Sequence, residues 1–367
     1  MKIMQTILFL TIVTSVYTGM HYFVYSQLIT PFRLTGWSHR TVVIFFWIGA
    51  LSFILGEVCS NRHYEQFYWL LFAGSVWLGI ISIALTCTLL RWIIIKFLPI
   101  PWKMPSLYIT MGLITCLVIV SLINGLSAPV IKKHTLSIPD TMAPFRGFRF
   151  VHLSDIHIGN LTTVARIQHI IHEVNKLSPD LILITGDLFD GFNGDEEKDA
   201  MLLKGLSAPH GIVVIPGNHE YYSGIDTFVR ISESSGAIVL RDRVHVLDNG
   251  ISLVGFDDYD RRYAHKKQIP VADVMRTIDT KKPIIALRHR PLLVDEAIAH
   301  GTLVQLSGHT HAGQLPPMDI MVFFAYKYPM GLYKIGDSYM YTSPGTGTWG
   351  PPMRLFSRNE ITVFELR

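Results

Sequence analysis

Cysteine is scarce in this chain. There are 3 in 367 residues, Cys59, Cys87 and Cys116, and each lies in or beside an apolar stretch. The part after residue 146 holds none. That excludes a disulfide framework or a thiolate zinc site there, and it fits either redox compartment. In apolar surroundings the three thiols read as small buried hydrophobes. A G-x-x-x-x-G-K phosphate loop is missing as well, which argues against nucleotide-driven transport. There is no repeat of solenoid period and no low-complexity tail.

Acidic residues are thin at the start. Of 32 Lys and Arg and 28 Asp and Glu, the first 145 residues hold nine and three, leaving 23 and 25 for the remainder. The overall charge of +4 therefore joins a basic apolar segment to a near-neutral domain, and it makes no case for nucleic acid. Four apolar stretches stand out, at Ile3–Tyr25, Thr41–Ser60, Phe67–Leu90 and Ser106–Ser127. Three exceed the roughly 20 residues that span a bilayer, and the second carries Glu57 near its end, which we place close to an interface. A cleaved signal peptide would account for the first stretch only. Arg91–Lys103 mixes bulky apolar residues, cations and two Trp, the composition of an interfacial segment.

The expected organisation is a membrane region of about four helices over 1–128, a polar, Pro-bearing linker over 129–146 and a catalytic domain over 147–367. The protein is expected in the cell membrane as a multi-pass chain. Basic residues tie between the two sides, so orientation stays open. The densest basic loop, Arg91–Lys103, favours an extracytoplasmic catalytic domain.

Five motifs then follow in order: Asp155-Ile156-His157, Gly186-Asp187, Gly217-Asn218-His219-Glu220, His289 before Arg290-Pro291, and Gly308-His309-Thr310-His311. Each follows a short β-branched, apolar run: Phe148–Leu153, Leu181–Ile184, Ile212–Ile215, Ile284–Leu287 and Leu303–Leu306. Such runs read as buried strands, and ligands collect beyond the carboxyl ends of strands in α/β proteins. Helical spacing over Val164–Leu177, Ile225–Ser234 and Val271–Ile278 supplies the alternation of an α/β fold. Gly308 leaves room for close backbone approach.

Every motif offers oxygen or imidazole, a set suited to Mn first, with Fe or Zn as alternatives. Two divalent cations about 3.5–4 Å apart imply in-line attack of metal-activated water on phosphorus. A bridging carboxylate at Asp187 offers two oxygens, one for each cation. The cations would lower the pKa of a bridging water to near neutral and neutralise phosphate oxygens. His219, next to Asn218, is the candidate general acid for the departing oxygen. Glu220 reads as structural support. The other histidines, His152, His169, His172, His210, His245, His265 and His300, lack such context and read as surface or structural residues.

The series D-x-H, G-D, G-N-H-E, H and G-H-x-H over Phe148–Gln314 resembles the calcineurin-like metallophosphoesterase superfamily. It is most similar to its bacterial membrane-associated branch, through Gly308–Gln314 and the G-x-G-x-W-G-P-P-x-R stretch at Gly345–Arg354. The resemblance implies a four-layer sandwich of two mixed sheets flanked by helices. It implies Asp155, His157, Asp187 and His311 as ligands of one metal, and Asp187, Asn218, His289 and His309 as ligands of the other. Asp190 matches the superfamily's G-D-x-x-D pattern and would orient His219. The phosphoprotein phosphatase branch has Arg where this chain has Gly191, which argues against that substrate. Arg290, where relatives carry small or neutral residues, is a candidate phosphate clamp, with a solvated surface arginine as the plain alternative.

After Gln314 the run Pro316–Tyr328 is very apolar. Packing in the core is the ordinary expectation; the other is a lip that dips into the bilayer or shields an acyl chain. The basic run Arg261–Lys267 would touch anionic headgroups, or be a plain solvated loop. Gly345-Thr346-Gly347 is a candidate tight turn near the site. The expected function is a membrane-anchored, metal-dependent phosphoesterase acting on a phosphate ester or pyrophosphate, with a lipid or envelope precursor as the favoured substrate. A tethered phosphodiesterase of soluble nucleotides and a non-catalytic membrane sensor are the alternatives. The partners expected are the phosphorylated substrate and membrane lipid, with no nucleic acid; the sequence leaves oligomeric state open.

Overall fold

The computed structural model describes residues 2–60, 67–191, 196–258 and 268–367. It divides into two compact units. The first comprises Met1–Leu126 with Leu315–Met318 and Gly350–Phe356; the second comprises Ser127–Gln314, Asp319–Trp349 and Ser357–Arg367.

The first unit is built on α1 (Lys2–Leu28), α2 (Gly36–Ser60), α3 (Tyr68–Ile94) and α4 (Lys103–Leu126). Among the described residues, three helical stretches, Gly36–Cys59, Tyr68–Ile94 and Ile100–Leu126, are long and apolar enough to cross a membrane by length and composition. The stretch bearing Glu57 is one of them, whereas α1 is helical but is not among the three. The exposed faces are themselves apolar: Phe45, Trp47 and Ile48 on α2 and Ile109 and Ile123 on α4 are more than half exposed. Such faces suit lipid as the surrounding solvent. Inside, small residues bring backbones together. A Cβ on Gly74 of α3 would sit 2.4 Å from the Phe53 Cα of α2, the close approach common between membrane helices. Trp77 Nε1 donates to His21 Nε2 at 2.9 Å. Leu315, Met353 and Leu355 join Ile81, Ile83 and Leu107 in this unit's core.

Among the described residues, the second unit holds twelve strands in two six-stranded sheets. One sheet is formed by β1 (Val130–Leu136), β2 (Arg149–Leu153), β3 (Leu181–Thr185), β4 (Ile212–Ile215), β5 (Ile238–Val239) and β12 (Glu360–Leu366), in the order β1-β12-β2-β3-β4-β5. The other is formed by β6 (Arg243–Val246), β7 (Ser252–Gly255), β8 (Ile284–Leu287), β9 (Val304–Ser307), β10 (Gly331–Ile335) and β11 (Ser338–Thr342), in the order β10-β11-β9-β8-β7-β6. Both are mixed. β2 to β5 run parallel and β12 is antiparallel to β2; β7, β8, β9 and β11 run parallel, with β6 and β10 antiparallel at the edges.

Period-two alternation divides the layers. Val151, Leu153, Ile182, Ile184 and Val214 face α5 (Val164–Lys176), α6 (Glu196–Gly205) and α8 (Ile225–Ser234), through Ile167, Leu203 and Phe228. The intervening Phe150, Leu181, Leu183, Val213 and Ile215 pack against Leu253, Ile285, Leu287 and Leu306 of the second sheet. That sheet's outer residues Val254, Ile284 and Ala286 meet α9 (Val271–Met275) and Ala297 of α10 (Val294–Ala299). The result is the four-layer sandwich expected from the motif resemblance. Both faces of each sheet are covered, which is why the strands are continuous apolar runs. Two short helices complete the unit, α7 (Asn218–Ser223) and α11 (Met318–Ala325).

Two expectations need correction. Residues 129–146, read as a linker, contain β1, which pairs in parallel with β12 from Val130↔Glu360 to Leu136↔Leu366. Lys132 and Lys133 gave the segment its polar look, but an edge strand tolerates charge. The apolar run after Gln314 is not core: Ile320, Met321, Phe323 and Phe324 of α11 are all exposed, Phe324 to 82%. The basic run Arg261–Lys267 lies outside the described residues.

Candidate metal centre

The seven residues expected as ligands arrive from five parallel strands. Asp155 and His157 follow β2, Asp187 follows β3, Asn218 follows β4, His289 follows β8, and His309 and His311 follow β9. The loops after β2 and β3 run side by side: Asp155 N donates to Gly186 O, His157 N to Asp187 O, and Ile158 N to Leu188 O. Five of the seven, Asp155, His157, Asp187, His309 and His311, have left-handed backbones with φ between 48° and 68°. For residues with a Cβ this costs on the order of 1–3 kcal/mol each, and such strain gathers at functional sites. Hydrogen bonds hold it in place. Asp155 accepts from His309 N at 3.0 Å through both oxygens. The buried Glu220 carboxylate accepts from the backbone of Asp187, Phe189 and Gly217 at 3.0, 3.0 and 2.6 Å, which is the structural support expected of it. Gly308 is required by space: a Cβ there would lie 1.9 Å from Ser154 Oγ and 2.0 Å from Asp155 Oδ2.

The donor atoms converge in three groups: Asp155, His157 and His311; His157, Asp187 and His219; and Asp187, His289 and His309. His157 Nε2 is 3.1 Å from His311 Nε2, and His311 Nε2 is 3.4 Å from Asp155 Oδ1. His289 Nε2 lies 3.2 Å from Asp187 Oδ2, 3.1 Å from Asn218 Oδ1 and 3.2 Å from His309 Nδ1. Imidazole and carboxylate lone pairs facing one another about 3 Å apart suit ligands sharing one ion, with bonds of about 2.0–2.2 Å. The residues therefore fit divalent cations. Asp187 sits between the groups, with Oδ2 3.9 Å from His157 Nε2 and 3.2 Å from His289 Nε2. Its Oδ1 accepts from His219 N at 2.9 Å. Asp187 is thus placed to contribute to both groups.

The nitrogens pointing away from the centre are also engaged. His289 Nδ1 meets Thr185 O at 2.8 Å. Asp190 Oδ1 meets His157 Nδ1 at 3.2 Å and His219 Nδ1 at 2.9 Å. Such contacts fix tautomer and ring orientation, leaving the Nε2 atoms toward the centre. Burial opposes ionisation of Asp187, but the charges and hydrogen bonds of His289, with those of His219 and His157, outweigh it and hold the carboxyl well below the usual range. Burial pushes Asp155 up. Burial also opposes the charging of His219, yet its hydrogen bond to Asp190 and the charges of Asp187, Asp190 and Glu220 push it up to about 9. His309 falls to about 3, through burial first and then the charge of His289.

Sequence reasoning missed a buried relay behind Asp155. His152 Nε2 meets Thr185 Oγ1 at 2.7 Å, Thr185 Oγ1 donates to Ser154 Oγ at 2.9 Å, and Ser154 Oγ donates to Asp155 Oδ2 at 2.5 Å. Trp349 lies 5.9 Å from the His219 ring and Tyr326 6.1 Å from that of His309. The Gly345–Gly347 turn does reach the site, Gly347 N donating to Asp155 O at 2.9 Å. Arg290 forms an ion pair with Asp258 at 3.3 Å, and its charge acts on both His309 and Tyr326.

Fold and site together define a hydrolase-type scaffold with clustered candidate metal ligands. The sequence matches the calcineurin-like phosphoesterase family over residues 148–313. An uncharacterized metallophosphoesterase of Helicobacter pylori is 35% identical over 250 residues, covering 66% of this chain and 65% of that protein. Another from Aquifex aeolicus is 31% identical, covering 65% of this chain and 91% of that protein. A transmembrane protein with metallophosphoesterase domain from Danio rerio is 32% identical, covering 68% and 60%. The chain thus spans slightly less than two thirds of the Helicobacter pylori and Danio rerio relatives. It belongs to the calcineurin-like metallophosphoesterase family.

Proposed function

We propose that the chain is a membrane-anchored phosphoesterase that cleaves a phosphate ester or pyrophosphate, with a lipid or envelope precursor as its substrate. Asp155, His157, Asp187, Asn218, His289, His309 and His311 hold two divalent cations, Mn as the first choice. When bound, these cations neutralise phosphoryl oxygens and lower the pKa of the attacking water. His219 protonates the departing oxygen. The arrangement of His219 carries this reading: Asp190 occupies its Nδ1 at 2.9 Å, and its side chain is 13% exposed while that of His289 is fully buried. The Asp190 carboxylate at Nδ1 favours the protonated imidazole that an acid requires. Arg290 binds a substrate phosphate from beside His309. The apolar helices near the N-terminus support membrane anchoring. The test is hydrolysis of aryl phosphate monoesters and diesters by full-length, detergent-solubilised protein with Mn²⁺, Fe²⁺ or Zn²⁺. Turnover abolished by chelation supports the reading. Inactivity with every metal would put a binding role ahead.

A further inference from the structure

The apolar surface of α11 is left exposed. Five of its eight residues, Met318, Ile320, Met321, Phe323 and Phe324, are large, apolar and exposed. Its one charged residue, Asp319, lies in the first turn. Tyr326 and Lys327 follow its end, an aromatic and a cation of the kind that sit at a membrane–water boundary. Ala325 and Tyr326 also line an open groove of about 470 Å³ whose opposite wall includes Leu292 and Leu293. Those two leucines are 46% and 39% exposed, and Asp295, Glu296 and Lys327 line the same groove, with Lys327 paired to Asp295 at 2.9 Å.

We propose that α11, with Leu292 and Leu293, is inserted into the interfacial region of a phospholipid bilayer. Three observations choose a bilayer as the occupant. The same chain carries three helical stretches apolar and long enough to cross a membrane. Met318, the first residue of α11, also ends the Leu315–Met318 segment of the helical unit, where Ser82 Oγ donates to Pro316 O at 2.6 Å. Apart from Asp319 the helix is apolar, and Tyr326 and Lys327 follow it as the aromatic and cationic residues that favour a membrane boundary. Tyr326, directly after α11, stands against the ring of His309. An inserted α11 therefore sets the metal centre at headgroup depth. This deepens the proposed function and rests on it only for the consequence that the phosphoester comes from the membrane plane.

The test does not depend on catalysis. Ile320→Cys, Phe323→Cys and Phe324→Cys are made in full-length protein lacking Cys59, Cys87 and Cys116, spin-labelled, and reconstituted in phosphatidylethanolamine–phosphatidylglycerol vesicles. The exposed Lys334→Cys is the control. These side chains face outward, so labels leave the packing intact. Collision with oxygen relative to a water-soluble nickel chelate should be several-fold higher at 320, 323 and 324 than at 334. Ratios equal to that of the control overturn the proposal. So does spin–spin broadening, which would show a second copy covering the helix. Failure of the phosphoesterase reading would appear instead in the aryl phosphate assay, with the label accessibilities unchanged.

Discussion

Asp190 Oδ1 lies 2.9 Å from His219 Nδ1, and the same oxygen meets His157 Nδ1 at 3.2 Å. One carboxylate oxygen thus orients both a candidate ligand and the group proposed as the acid. Asp190→Asn removes the hydrogen-bonded carboxylate and one of the charges that raise His219. A general acid is active below its pKa, so activity is lost as pH rises through that value. The alkaline limb of the kcat/KM profile should therefore move to lower pH in Asp190→Asn, with metal affinity weakened roughly 10–100-fold, as for other outer carboxylates on ligand histidines. An unmoved limb would remove His219 from the acid role.

His219 belongs to one of the three groups placed to hold a metal. His219→Ala distinguishes acid from ligand. We predict that this variant keeps its full metal content while hydrolysis of esters with poor leaving groups slows by roughly 10²–10⁴. Esters with good leaving groups should be slowed far less. Loss of one metal per chain would make His219 a ligand instead.

Asp187→Asn should be the most damaging single substitution. Oδ2 lies 3.9 Å from His157 Nε2 and 3.2 Å from His289 Nε2, and the buried carboxyl is held ionised there. We expect metal content and turnover to fall together, by more than the roughly 10–100-fold of an outer-shell change. Elemental analysis beside kinetics reads both, and normal turnover would contradict the bridging assignment.

How far this site could be read from sequence depended on locality. Each ligand follows directly on an apolar run, so chain order and strand ends were visible together. Strand β1 was not, because its partner β12 begins at Glu360, more than 200 residues away, and pairing rather than composition makes it a strand. The His152–Thr185–Ser154 relay was invisible for the same reason: its links join neighbouring strands. The surface position of α11 could not be read either, since Phe323-Phe324 has one composition whether it faces core or lipid. Asp190 was legible because it lies on the same loop as Asp187.

Stability of the metal-free protein should depend on pH. His219 is raised to about 9 and His289 to about 10, from roughly 6.5 when unfolded. Groups raised on folding stabilise fully below the unfolded value and lose that contribution as pH rises through the folded one. The unfolding midpoint of chelated protein should therefore fall between about pH 6.5 and 10. Saturating metal should raise the midpoint, since a ligand at 100 times its Kd stabilises by about 2.7 kcal/mol. A flat alkaline profile without metal would contradict the charge arrangement.

The central claim is that strands from two sheets assemble two cation subsites around Asp187. Metal stoichiometry of active, full-length protein, measured by elemental mass spectrometry after exhaustive dialysis, tests it most directly. The account predicts two divalent ions per chain, both lost in Asp187→Asn. One ion or none in protein that still turns over would contradict it.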